Sequence, residues 1–235
     1  MADSVSIPRL DHVAIRVGDR AAFAAGLVEQ LDVHVIEHTD RLTLVGAHAD
    51  HGKITVLDAI DERDPTPNRI VSLVLAEGAG AAVPPPVVMP GGLVLTFASI
   101  DDLGPGWQDT PRHALVGVSL RAADPTAAAR ELQARYDMRV ATAGPEHAVV
   151  EVGRTLADGR LTLSRESWAH DDRPSMLDHV GIRVVDALGT RERFETDGID
   201  IARWVEVDHS RAVFVDGPEQ LQLEYLELTA PLDDT

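Results

Sequence analysis

The sequence predicts an α+β chain made of tandem β-α-β-β-β modules, four of them, the second degenerate. Three observations carry that prediction. The segment Leu10 to Asp19 returns at 177 to 186: Leu10, Asp11, His12, Val13, Ile15, Arg16, Val17 and Asp19 recur as Leu177, Asp178, His179, Val180, Ile182, Arg183, Val184 and Asp186, a constant offset of 167. An internal repeat of this kind changes the meaning of every residue in it. Each copy alternates like a half-buried strand and runs into a segment of helical composition. Strand-like pieces that align with one another then follow each helix.

Taken in order, the first module (9–65) opens with a strand that turns Val13, Ile15 and Val17 to one face and His12, Ala14 and Arg16 to the other. Asp19 is placed to cap a helix over AAFAAGLVEQL, and RLTLVG (41–46) and KITVL (53–57) supply further strands. The second module (66–110) is legible only as RIVSLVLAEG (69–78) and LVLTFA (93–98). Between them the three consecutive prolines of GAGAAVPPPVVMPGG remove amide donors and forbid an ordinary helix, so a truncated or loop-like module is expected. The third (111–174) begins with LVGVSLRAAD, with Leu115 standing at the place of His12 and His179. Asp124-Pro125 there gives the best helix start in the chain, before strands at 147–153 and 160–164. The fourth (175–231) repeats the opening motif, uses Asp186 as a cap, and closes with RAVFVDG (211–217) and QLQLE (220–224).

At 235 residues and 44% hydrophobic, the chain can bury a sizeable core. Its net charge of -18 repels phosphate backbones and acidic membrane surfaces, so neither nucleic acid nor a membrane is an expected partner. The absence of cysteine excludes disulfides, thiolate nucleophiles and Cys-containing metal sites. No cationic start leads into an apolar run of export-signal type, and no run of about 18 apolar residues suggests a span. The expectation is a cytoplasmic protein, monomer or homodimer, acting on a small molecule.

LDHVAIRVGD and LDHVGIRVVD resemble the opening strand of the glyoxalase, bleomycin-resistance and extradiol-dioxygenase superfamily, the vicinal-oxygen-chelate proteins. DGPEQLQLEYLE resembles its closing strand. The likeness covers most of 9–229 and is weakest over 66–110. It implies modules paired into curled mixed sheets around a cavity, with metal ligands drawn from the first and fourth strands of each module. The matching positions are read as His12 and Leu57, Ile70, Leu115 and Ser164, and His179 and Glu224, so only the outer modules carry candidate ligands. If modules one and four share a sheet, His12, His179 and Glu224 converge, and modules two and three form the other half. If module three pairs with four, a third ligand such as His113 is needed.

Two imidazoles and one carboxylate leave open coordination positions, the arrangement of non-haem iron oxygenases, and also accept manganese or zinc. The resemblance therefore implies a divalent-metal enzyme, Fe(II) first, acting on a small oxygen-chelating substrate, with extradiol-type ring cleavage as one version. A glyoxalase-like isomerase or lyase, and a metal-independent binding or resistance protein, are the alternatives.

Arg16 and Arg183 share the ligand face by parity and are candidates to bind an anionic substrate or to neutralise local carboxylates. His209 is a candidate general acid or substrate-binding group. Phe214 stands where the extradiol signature carries a tyrosine, which removes a phenolic donor. His34, His38, His48, His51 and His170 read as structural or solvated.

Overall fold

Alternating strands that each keep one apolar face must bury it, and here they do so in two mixed sheets. The structure is a computed structural model that describes residues 8–61, 63–104, 106–153, 156–166 and 174–230; His170 lies outside them. In chain order come β1 (Arg9–Val17), α1 (Arg20–Gln30), β2 (His34–His38), β3 (Leu42–Gly46) and β4 (Lys53–Asp58). Then follow β5 (Ile70–Glu77), β6 (Val87–Val88), β7 (Val94–Ser99) and the single turn α2 (Ile100–Leu103). Next are β8 (Leu115–Arg121), α3 (Pro125–Arg135), β9 (Arg139–Ala143), β10 (His147–Glu151) and β11 (Arg160–Ser164). The chain closes with β12 (Leu177–Arg183), α4 (Ala187–Thr196), β13 (Ile201–Val207), β14 (Ser210–Asp216) and β15 (Gln222–Leu228). Thus a β-α-β-β-β order recurs, while the proline-rich stretch between β5 and β6 holds no helix among the described residues.

All three long helices start on an aspartate. The Asp19, Asp124 and Asp186 side chains accept from the amides of Ala22, Ala127 and Gly189, satisfying first-turn donors that have no partner within the helix. One sheet has the order β13-β14-β15-β12-β1-β4-β3-β2, the other β6-β7-β5-β8-β11-β10-β9. Val13, Ile15, Val180, Ile182, Val213, Val215 and Leu223 are buried in one cluster with Leu27 of α1, Leu132 of α3 and Phe194 of α4. Each such aliphatic side chain stabilises the fold by roughly 1.5–3 kcal/mol before ordering entropy is charged against it. No helix among the described residues is long and apolar enough to cross a membrane.

The centre of the first sheet is where β1 and β12 run antiparallel, and their ladder is interrupted twice. Pairing passes from Leu10↔Ile182 to His12↔Gly181, and from Ala14↔His179 to Ile15↔Leu177, so Asp11 and Asp178 are each an unpaired extra residue. These bulges re-aim side chains locally. Because of them, each aspartate sits beside the imidazole that follows it rather than on the opposite face.

The pairing also corrects the alignment of the repeats. β4 pairs with β1 through Ala14↔Thr55, and β15 pairs with β12 through Gly181↔Glu224. Since Ala14 and Gly181 correspond, the counterpart of Glu224 is Thr55, not Leu57. In the other sheet the bulges fall at Val71 and Val116, which makes Ser72 and Gly117, not Ile70 and Leu115, the counterparts of the two histidines. Likewise Thr96 and Thr162, not Ser164, correspond to Glu224.

Candidate metal centre

One row of cross-strand neighbours runs across six strands of the first sheet: Arg203, Phe214, Glu224, Gly181, His12 and Lys53. The adjacent row is His179, Ala14, Thr55, Leu44 and Glu37. Direct cross-strand neighbours share a face, so the two histidines and the glutamate are presented together.

Their ligand atoms meet. His12 Nε2 lies 3.1 Å from His179 Nε2, and each of these nitrogens lies 3.0 Å from Glu224 Oε2. All three residues are buried. Gly181 makes the approach possible, because a Cβ there would come within 2.3 Å of the His12 ring.

The other ring nitrogens are fixed by the bulged aspartates: His12 Nδ1 to Asp11 Oδ2 at 2.9 Å and His179 Nδ1 to Asp178 Oδ1 at 2.6 Å. An ionised carboxylate only accepts, so each Nδ1 carries a hydrogen, and in a neutral imidazole that leaves Nε2 with the lone pair facing the meeting point. The aspartates are held in a crossed pattern. Arg16 of β1 donates to Asp178 at 2.6 Å, and Arg183 of β12 donates to Asp11 at 2.7 Å, with Lys53 Nζ adding a 3.0 Å contact to Asp11. The two arginines are therefore engaged with carboxylates.

Burial alone would raise the Asp11 carboxyl, but Lys53, then His12 and Arg183, hold it well below the usual carboxylate range. Glu224 follows the same logic: burial pushes up, and hydrogen bonds with the two imidazoles pull further down. For His12, burial lowers the value while Asp11 and Glu224 raise it to about 9 in the metal-free protein. With Asp11 and Asp178 balanced by Lys53, Arg183 and Arg16, the buried Glu224 carboxylate is the charge that favours a proton on His12 in the metal-free protein.

The donor triangle can be tested against an ion. Donors bound to one transition-metal ion at about 2.1 Å stand roughly 3.0–3.4 Å apart. The observed edges of 3.0–3.1 Å fall in that range, so the three donors can meet on one ion. Among the described residues, this is the one His/Asp/Glu group whose donors converge in this way.

His113 does not join it. It lies in the segment before β8 with φ of 64°, its Nδ1 accepting from the Asp32 amide at 3.1 Å and its Nε2 3.6 Å from Glu77. In the first sheet β12 lies between β15 and β1, while β8 belongs to the other sheet. His209 sits in the β13–β14 hairpin, its carbonyl accepting from Thr229, five residues along from Phe214, or roughly 16 Å of strand. Several residues around the centre went unremarked in the sequence as parts of a site: the bulged aspartates, Lys53, Thr55, Gly181 and Arg203. The twice-repeated Asp-His pair was the available signal for the first of these.

By sequence the chain matches no protein-family profile and no curated protein. By structure it is similar to a candidate dioxygenase from Bacillus subtilis, with a TM-score of 0.73 at 12% identity over 95% of this chain and 86% of that one. Glyoxalase I from Zea mays is similar with a TM-score of 0.66 at 13% identity, covering 94% and 92%. A single-substitution variant of the maize enzyme gives 0.68 at 14% identity, covering 94% of both chains. The chain therefore has the vicinal-oxygen-chelate fold. At these identities the likeness concerns architecture and carries no reaction with it.

Proposed function

We propose that the chain is a divalent-metal-dependent enzyme that acts on a small oxygen-chelating substrate, with His12, His179 and Glu224 as the protein ligands. In this reading the chain has four modules, the first paired with the fourth and the reduced second with the third. The observation that carries the proposal is the buried triangle of two Nε2 atoms and one carboxylate oxygen with 3.0–3.1 Å edges.

A bound divalent ion would supply Lewis acidity and, if redox-active, a site for oxygen, with open positions left for a bidentate substrate. The chain's own contribution is orientation. Asp11 and Asp178 fix tautomer and ring plane, Arg16, Arg183 and Lys53 lock the aspartates, and the Phe214 ring packs nearly perpendicular to His179 with centroids 5.2 Å apart. Thr55 at the place of a second carboxylate keeps the protein donor set at two imidazoles and one carboxylate. That set favours Fe(II) and ring-cleaving oxygenase chemistry over an isomerase or lyase using Mn(II) or Zn(II).

The test is elemental analysis after anaerobic, tag-free purification, compared with His12→Ala/Glu224→Ala. The parent should carry about one transition-metal ion per chain and the variant almost none. A parent that holds no metal even after supplementation would overturn the proposal. Oxygen uptake with catechol-like compounds then separates the oxygenase from the redox-neutral version.

A further inference from the structure

The two arginines that sequence parity placed on the ligand face are occupied by Asp178 and Asp11. A third, Arg203, is not. It lies on the edge strand β13, exposed, at the end of the row that contains Phe214, Glu224 and His12. Its guanidinium lies over the Phe214 ring with Cζ 3.8 Å from the centroid, and the Phe214 and His179 rings are nearly perpendicular with centroids 5.2 Å apart. Among the described residues no carboxylate pairs with Arg203, although acids outnumber bases 39 to 21 in this chain. A guanidinium held over an aromatic ring is restrained by it while its N–H donors remain available to a carboxylate. At the far side of the same sheet face the corresponding position is Glu37, on β2. The two rows therefore end on a cation, Arg203, on the β13 side and on an anion, Glu37, on the β2 side.

We propose that Arg203 receives an anionic group of the substrate, so that the substrate class is a chelating compound bearing a carboxylate directed toward β13. This rests on the metal-centre reading for the chelating part only. Two steps of 5.2 and 3.8 Å by way of the Phe214 centroid cap the His179–Arg203 separation at about 9 Å, a distance a ligand of roughly six bonded atoms can bridge.

The experiment compares dissociation constants of catechol and 3,4-dihydroxybenzoate by calorimetry for the parent, Arg203→Gln and Arg203→Lys, each metal-loaded and chelator-stripped. The parent should prefer the carboxylate on the order of tenfold or more, Arg203→Gln should bring the ratio to near one, and Arg203→Lys should keep part of it. Circular dichroism checks that the variants are folded. No preference in the parent, or an undiminished one in Arg203→Gln, overturns the proposal. Failure of the metal reading has a different signature: catechol affinity that does not change on stripping, whatever the carboxylate ratio does.

Discussion

Gly181→Ala is the sharpest perturbation of the metal centre, because it alters no ligand and adds one methyl group. An alanine Cβ would lie 2.3 Å from His12 Cε1, 2.4 Å from Nδ1 and 2.8 Å from Nε2. Ordinary contact begins near 3.5 Å, so the ring must retreat by roughly 1 Å, well beyond the ~0.2 Å tolerance of a metal–ligand bond. The retreat also strains the 2.9 Å bond from Nδ1 to Asp11. Metal affinity should fall by about 10- to 100-fold, equivalent to roughly 1.4–2.7 kcal/mol. Overpacking should cost the metal-free fold about 1–3 kcal/mol in addition. The assay is competition with a chromophoric chelator on reconstituted protein, alongside thermal melts of the stripped form. Ala14→Gly, at the corresponding position beside His179, is the control and should leave affinity within about threefold of the parent. A folded Gly181→Ala protein with parental affinity would refute His12 as a ligand.

Asp178→Asn should weaken metal binding by about 10- to 100-fold, since the amide no longer anchors His179 Nδ1 as a charged acceptor; the same competition assay reads it. Thr55→Glu should place a second carboxylate at the site, lowering the melting temperature of stripped protein and slowing metal release at least about tenfold, followed by transfer to excess chelator. Affinity should rise with pH up to about 9, because below that value the ion must displace the proton on His12; isothermal titration across pH 6–9 checks it. For the stripped protein the linkage signs are opposite for the two kinds of group. The raised His12 contributes stability that is full below its unfolded value of 6.5 and lost as pH rises through about 9. The depressed Asp11 and Glu224 contribute stability present above their unfolded values and lost as pH falls, so denaturant midpoints should peak between these limits.

The two opening strands, the caps Asp19 and Asp186 and the shared placing of His12 and His179 were legible because the repeat keeps eight of ten residues with no gap between Leu10 and Asp19. What the sequence hid was register. A shift of one residue exchanges the faces of a strand, but a shift of two preserves them. Alternation therefore reads KITVL against QLQLE as comfortably as against QLEYL, and only the pairing Ala14↔Thr55 beside Gly181↔Glu224 chooses between them. The same two-residue ambiguity put Leu115 where Gly117 belongs. Bulges are invisible for a related reason: Asp11 reads as an inward residue by parity, and only the interrupted ladder shows that it lies beside His12. Arg203 had no repeat partner to draw attention to it, since its counterpart is Glu37.

The second sheet explains why one half alone carries the donors. It keeps both bulges, but their residues are Val71 and Val116 instead of aspartates, and the positions that follow are Ser72 and Gly117 instead of histidines. Where Glu224 meets His179, Thr96 Oγ1 donates to Ser72 Oγ at 3.3 Å. Val116 and Val74 are buried in a cluster with Ile100 and Leu103 of α2 and with Trp107. The face that holds polar donors in the first sheet is here filled by apolar side chains from the segment that follows β7. A charged aspartate at Val116 would be buried there without a partner, so the bulge could be retained only with an apolar residue in it. Apolar residues at the bulges, the lack of histidines after them and the packing of α2 on this face thus go together, and the converging donors lie on β1, β12 and β15 of the other sheet.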